Sequence, residues 1–258
     1  MKKSLIIVSL CLIGFNNLYA DEYSFRKYQH VYDFYKSITT EVIEISKKHK
    51  LPPAAVLAIA GLESGYGRGY VAQITGNILS LGAFKGDKEL PALYLPYSKS
   101  KKRVLFDKKE IQNFPSDDLS WKNRPKSLKR DYRPALYAGS TKNLELLLYD
   151  KALRKKAHSA CLNDFATRWI IDTSKVKVFK ESRIWLDSLV ENKGLNVLFS
   201  KNTNIDFINK IGGHPHSFNY RDTWPKKVEL IMKKTGLVEL TNYMHNKKMS
   251  FEDAWRSI

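Results

Sequence analysis

Glu63 closes an apolar run, Ala54 to Glu63 (AAVLAIAGLE), and Ser64-Gly65-Tyr66-Gly67 follows it at once. If the run is a helix, a carboxyl at its C-terminus faces the negative end of the macrodipole. It also sits beside apolar neighbours such as Ile59 and Ala60. Both effects disfavour the charged form and raise the pKa. A glutamic acid kept protonated near neutral pH is what the general acid of a glycosidase requires. The alternative is a surface glutamate where the helix emerges into solvent.

Other side chains offer less. His214-Pro215-His216 has the look of a metal pair. It lacks an evident third ligand, and the Gly212-Gly213 lead-in reads as a turn, so no metal is expected. No Gly-rich phosphate loop and no Ser-His-Asp order is present, and no cofactor is expected. Tyr94, Tyr97, Trp121, Tyr132 and Tyr137 offer flat faces for sugar rings, or else pack in a core. Trp121 and Tyr132 lie among lysines and arginines and are the better platforms; Trp169 and Trp185 lie on helix faces. The Ser217 to Trp224 stretch either borders a cleft or leads into a helix.

Residues 58–67, AIAGLESGYG, resemble the catalytic helix end of the N-acetylglucosaminidases of glycoside hydrolase family 73, which includes the flagellar peptidoglycan hydrolase domain and many bacterial autolysins. The family pattern is an apolar helix ending in Glu-Ser-Gly-aromatic-Gly, then, after a short gap, Asn-aliphatic-aromatic-Gly. Here the second element reads Gly76-Asn77-Ile78-Leu79-Ser80-Leu81-Gly82. The likeness covers roughly residues 50 to 85 and is loose beyond. It implies a lysozyme-like fold and cleavage of the β-1,4 bond after N-acetylglucosamine in peptidoglycan, with Glu63 protonating the leaving oxygen. By the same resemblance Asn77 holds the start of an insertion and touches substrate, or is a turn residue. Tyr66 lines the cleft or packs beneath it, and Tyr97 lies in the stretch comparable to the one where many members place a tyrosine.

The chain departs from the family at the second carboxylate. Many members place an acid beside a tyrosine in a β insertion, whereas the comparable Leu95-Pro96-Tyr97 has Pro. Asp87, Glu89, Asp107 and Glu110 are nearby substitutes, each of which is otherwise a solvated surface group. Participation of the substrate's own acetamido group would let Glu63 act without a close partner. A lytic transglycosylase would use the same glutamate, but the Gly-Leu-Met-Gln type of segment usual there is missing. A non-catalytic, basic wall-binding protein is the remaining alternative.

The elements that must position these residues read as mainly α-helical with some β structure. Val31, Phe34, Tyr35, Ile38, Val42 and Ile45 mark one face of a helix that the Leu51-Pro52-Pro53 break ends. The Ala54–Glu63 helix, apolar on every side, is expected to be buried, with Gly65, Gly67 and Gly69 stopping it. Residues 70 to 140 show poor helical periodicity and read as an insertion lobe. Leu90 to Tyr97 and Arg103 to Phe106 are candidate strands joined by a polar turn, and Phe114 to Pro134 reads as a loop region. Helices are expected over Asn143–Lys156, Asn163–Ile171, Ser182–Glu191, Thr203–Ile211 and Pro225–Thr235, the last capped by Asp222 or Thr223. Ser250-Phe251-Glu252-Asp253 reads as a capping start. The expectation is one domain over residues 21–258 with a lobe at about 70–140.

The 258 residues carry 44 Lys+Arg against 26 Asp+Glu, a formal net charge of +18, with 43% hydrophobic residues. That apolar content excludes wholesale disorder. Two cysteines exclude a disulfide framework. Residues 1–20 read as a secretory signal: Lys2 and Lys3, an apolar run from Leu5 to Phe15, then Leu18-Tyr19-Ala20 as cleavage site. The run is far short of the roughly 20 residues a span requires, and no later stretch is apolar enough. Leu10 before Cys11 speaks against lipidation. Cys161 would then be the only cysteine left, a small buried hydrophobe. The expected product is a monomer outside the cytoplasm, in the periplasm of a Gram-negative cell or secreted. There, peptidoglycan strands and an anionic envelope surface, not nucleic acid, would meet the positive charge.

Overall fold

The computed structural model describes residues 22–82, 94–105, 110–111, 113–123 and 150–258. The expected signal segment, Tyr132 and Tyr137 lie outside them, as do three of the four candidate acids, Asp87, Glu89 and Asp107.

A 21-residue helix, α1 (Gln29–His49), buries the expected stripe of Val31, Phe34, Tyr35, Ile38, Val42 and Ile45. It ends at Lys50 in the left-handed region, and Pro53 opens α2 (Pro53–Ser64). Residues Pro53 to Gly61 are all buried, so α2 is the axis of the fold. Its first turn is held from outside: the Ala55 N–H donates to Asn204 Oδ1 at 2.8 Å. Asn204, itself buried, donates through Nδ2 to the carbonyls of Leu198 and Ser200. A buried amide satisfied in this way costs little and fixes the register of the elements it joins. Small side chains let neighbours come close. Gly61 is required for space, because a Cβ there would collide with the Tyr35 hydroxyl.

Four helices pack around α2: α1, α6 (Lys201–Ile211), α7 (Trp224–Thr235) and α8 (Leu237–Asn246). The frame is completed by α4 (Lys151–Asp164), which runs into a π-type turn at Phe165–Trp169, and by α5 (Lys177–Lys193) and α9 (Phe251–Arg256). Ser250 caps α9 as expected, accepting from the Asp253 N–H at 3.1 Å. The expected helices over Asn143–Lys156 and Asn163–Ile171 are replaced, among the described residues, by α4 and its π-type tail. Asp150 sets the start of α4 by accepting from the Leu153 N–H at 2.8 Å. The sequence reading places no helix between Thr235 and the Ser250 cap, so α8 is an addition. With φ at 68°, Gly236 both ends α7 and starts α8.

The described part of the 70–140 stretch contains α3 (Tyr70–Thr75) and a three-stranded antiparallel sheet of order β2-β1-β3. Its strands are β1 (Tyr94–Ser98), β2 (Arg103–Val104) and β3 (Leu119–Asn123). The hairpin β1–β2 falls where it was expected. The third strand lies within the stretch read as loop. Asp118 ties the corner together, accepting from Ser98 Oγ at 2.6 Å and from the Ser100 N–H at 2.8 Å. The chain is therefore mainly helical with a small β-containing lobe, the expected class. No helix among the described residues is long and apolar enough to cross a membrane.

Candidate active site

Three features of the sequence around Glu63 fix the end of α2. Gly65 adopts the left-handed conformation with φ at 57°. The Tyr66 N–H reaches back to the Gly61 carbonyl at 2.9 Å, and the Gly65 N–H to Leu62. This is a Schellman closure, which satisfies the last carbonyls of the helix. Ser64, buried, donates to the Ala60 carbonyl and accepts from the Gly67 N–H at 2.8 Å. Gly69 comes so close to the Ser64 carbonyl that a Cβ would not fit. The Glu-Ser-Gly-Tyr-Gly sequence is thus a rigid helix stop that holds Glu63 half-buried in the last turn.

Facing Glu63 is a loop from the far end of the chain, residues 212–223. The Gly213 N–H donates to the Asn219 carbonyl at 2.8 Å and the Phe218 N–H to that of Ile211 at 2.7 Å. Phe218 anchors the loop in an aromatic cluster with Phe165, Trp169, Phe179 and Trp224. The His214-Pro215-His216 segment forms part of this turn. Trp224, buried at the start of α7, donates from Nε1 to Glu63 Oε1 at 2.7 Å. The indole lies against the backbone of Gly212, where a Cβ would fall under 3.0 Å from its six-membered ring.

Together these residues make a cleft of about 200 Å³ lined by Leu62, Glu63, Asn219, Arg221, Thr223, Trp224 and Lys227. Burial holds the Glu63 carboxyl above its ordinary value; the Trp224 hydrogen bond, the Arg221 charge and the Asn219 side chain pull the other way without cancelling it. The direction is the one expected from sequence, and desolvation is its leading cause. Because Trp224 donates to Oε1, the acid form is expected to carry its proton on Oε2. The group can then donate a proton into the cleft and, once ionised, take one back.

Of the residues expected at the site, as substrate contacts or as second carboxylate, the structure gives three of those it describes structural employment. Asn77 is buried and its amide is consumed: Oδ1 accepts from the Leu81 N–H at 2.9 Å, and Nδ2 donates to the Leu81 carbonyl at 2.8 Å. Cys161, also buried, points its thiol at the same Oδ1 at 3.4 Å. Asn77 therefore holds the 77–81 loop and presents no free group to a substrate. Tyr66 turns onto α1, edge-on to His30, Phe34 and Tyr35 at 5.7, 6.3 and 6.0 Å. Burial pushes its hydroxyl up to about 12. Glu110 is engaged by Lys101 and Arg103 at 2.8 and 2.6 Å, beside the sheet. Tyr97 pairs with Val104 and Ser120 whereas Trp121 pairs with Pro96, so the two fall on alternate positions of the pleat. Tyr97 does not line the cleft around Glu63.

Among the described residues that line the cleft, Glu63 is the only carboxyl, and no cluster of three or more His, Cys, Asp or Glu occurs. Trp224, Arg221 and Asn219 belong to the stretch already read as a cleft border or helix lead-in, and the structure makes it both. Lys227 was not legible, since nothing local signals a neighbour as remote in the chain as Glu63, and the close approach of Gly212 to the Trp224 ring shows only in the folded chain.

No protein-family model matches the chain, and no curated protein does. Among solved structures, it is similar to the catalytic domain of the autolysin Auto from Listeria monocytogenes. The identity is 15%, 91% of this chain and 98% of that one are covered, and the TM-score is 0.43.

Proposed function

We propose that the protein is an exported peptidoglycan hydrolase that cleaves glycan strands at the β-1,4 bond after N-acetylglucosamine, with Glu63 as general acid. The observation that carries this reading is the state of Glu63. It is a half-buried carboxyl at the stopped end of a buried helix, one oxygen fixed by Trp224 and its pKa raised by burial. The Glu-Ser-Gly-Tyr-Gly and Gly-Asn-Ile-Leu-Ser-Leu-Gly elements add the family resemblance. In the reaction, the proton on Oε2 passes to the glycosidic oxygen as the C1–O bond breaks and its electron pair leaves with that oxygen. Water then adds at C1, and the proton it loses restores the acid. Export follows from the signal-like residues 1–20, and the net charge of +18 would concentrate the protein at an anionic envelope, an effect that salt weakens.

A second reading, the lytic transglycosylase, is favoured by one observation: the described wall of the cleft offers a single carboxyl. In that reaction a hydroxyl of the sugar itself replaces water. Digestion of purified peptidoglycan by the wild type and by Glu63→Gln, with mass spectrometry of the new ends, separates the two. Reducing N-acetylglucosamine ends that vanish in the variant are expected. Anhydro-muramyl ends would move the assignment to the transglycosylase, and intact strands throughout would end both.

A further inference from the structure

We propose that Arg221 and Lys227 form an anion subsite beside Glu63 that takes a carboxylate carried on a substituent of the sugar next to the one being cut, across the scissile bond; the proposal rests on the glycan-cleaving reading of the same cleft. Both side chains are exposed and line the cleft wall that also holds the acid. Neither forms an ion pair among the described residues. Some cations among the described residues do have acidic partners: Lys50 and Arg183 meet Asp187, Lys101 and Arg103 meet Glu110, and Lys36 meets Glu252.

The Arg221 guanidinium lies over the ring of Tyr220, 5.6 Å from its centroid, and its charge also reaches Glu63. A cation beside Glu63 favours its ionised form and so opposes the burial that keeps the acid protonated. An anion delivered by the substrate would offset that pull at the moment the acid is needed. A plain N-acetylglucosamine polymer carries no charge and would leave both cations unpaired. A glycan whose alternate sugars bear carboxylated substituents would satisfy them, and Arg221 is able to grip a carboxylate through two parallel N–H donors. Asn219 and Thr223, on the same wall, can meet neighbouring amide groups. The carboxylate has two possible sources, the lactyl group of the substituted sugar or the peptide attached to it.

The test uses the full chain as Glu63→Gln, so that ligands are not consumed, with circular dichroism to confirm folding. Three probes of equal glycan length are titrated at low salt: neutral chitotetraose, a fragment with free lactyl carboxylates, and a fragment whose lactyl groups carry the peptide. At least one charged probe is expected to bind about tenfold more tightly than chitotetraose, and which one does so identifies the source. Adding Arg221→Gln with Lys227→Gln should weaken the charged probe about tenfold more than chitotetraose, so that the preference disappears. The subsite is refuted if neither charged probe outcompetes the neutral one, or if the preference survives the double change. Failure of the enzyme reading is read separately, as wild-type protein that cuts neither neutral nor charged strands although the charged probe still binds through the two cations.

Discussion

Gly212→Ala removes no functional group, yet it should disturb Glu63 from across the cleft. Gly212 has φ −146° and ψ 170°, extended backbone that alanine adopts freely, so the substitution carries no conformational strain. Its whole effect is steric. The added Cβ would stand 3.2 Å from Trp224 Cδ2 and under 3.0 Å from Cε3 and Cζ3. Carbon atoms settle at about 3.5–4.0 Å, so the ring must retreat by roughly 1 Å. Trp224 is 3% exposed, with Phe218 packed at 5.4 Å, so the retreat must disturb its packing. A displacement of that size stretches the 2.7 Å bond to Glu63 beyond the ~3.2 Å limit of an N–H···O hydrogen bond. Overpacking costs about 1–3 kcal/mol, and a hydrogen bond to a charged group is worth about 1.5–3 kcal/mol. Both losses come from one movement, so they overlap, and a fall of about 2–4 kcal/mol in urea stability is expected. A carbon-13 carboxyl titration of Glu63 should move further upward, since Trp224 favours the ionised form. Removing the ring first, as Trp224→Leu, should make the alanine nearly neutral. Stability within about 0.5 kcal/mol of wild type, together with an unmoved Glu63 titration, would show that Gly212 does not hold the indole in place.

Two pH predictions of opposite sign accompany it. Burial and the neighbouring Arg154 lower the His158 pKa from 6.5 to about 4. Its contribution to stability is therefore fully present above pH 6.5 and is lost as pH falls toward 4. The loss is on the order of 1–3 kcal/mol, partial exposure making it smaller than the full shift implies. Urea midpoints measured across that window should fall in the wild type and much less in His158→Gln. Glu63 behaves in reverse: its raised pKa contributes stability in acid that is lost as pH rises through the folded value. Glu63→Gln, which keeps an acceptor for Trp224, should accordingly be more stable than wild type at neutral pH and no more stable near pH 4. Equal stability at both pH values would contradict the burial argument.

Periodicity and punctuation were enough to find the helical frame. The 3.6-residue stripe of α1, the prolines before α2, the serine cap of α9 and the proline and glycine bounding α7 are all local signals. The sequence also marked Glu63 through the all-apolar helix it ends. What it did not reveal is how side chains are employed after folding. Asn77 reads the same in sequence whether its amide meets a sugar or the Leu81 backbone. Tyr66 in an aromatic motif does not disclose that α1 supplies the rings it packs on. The polar face of Glu63 is contributed by Asn219, Arg221, Trp224 and Lys227, which no pattern within α2 could announce. Gly236 shows a similar limit, since one left-handed glycine served two helices.

The hydrogen bond from Trp224 to Glu63 spans 161 residues of chain, and the loop bearing Asn219 and Arg221 is equally remote. An acid whose environment depends on so distant a segment is built late. During synthesis, α2 can leave the ribosome long before the 212–224 segment exists, and until that segment docks Glu63 is a more solvated carboxylate. The same holds for a chain cut ahead of residue 212. Such a fragment should titrate at Glu63 closer to the usual carboxylate range than the complete chain does, even if α2 still forms. For a protein proposed to attack a polymer on which a cell depends, the fold itself would then serve as a timer, withholding the proton donor until the chain is complete.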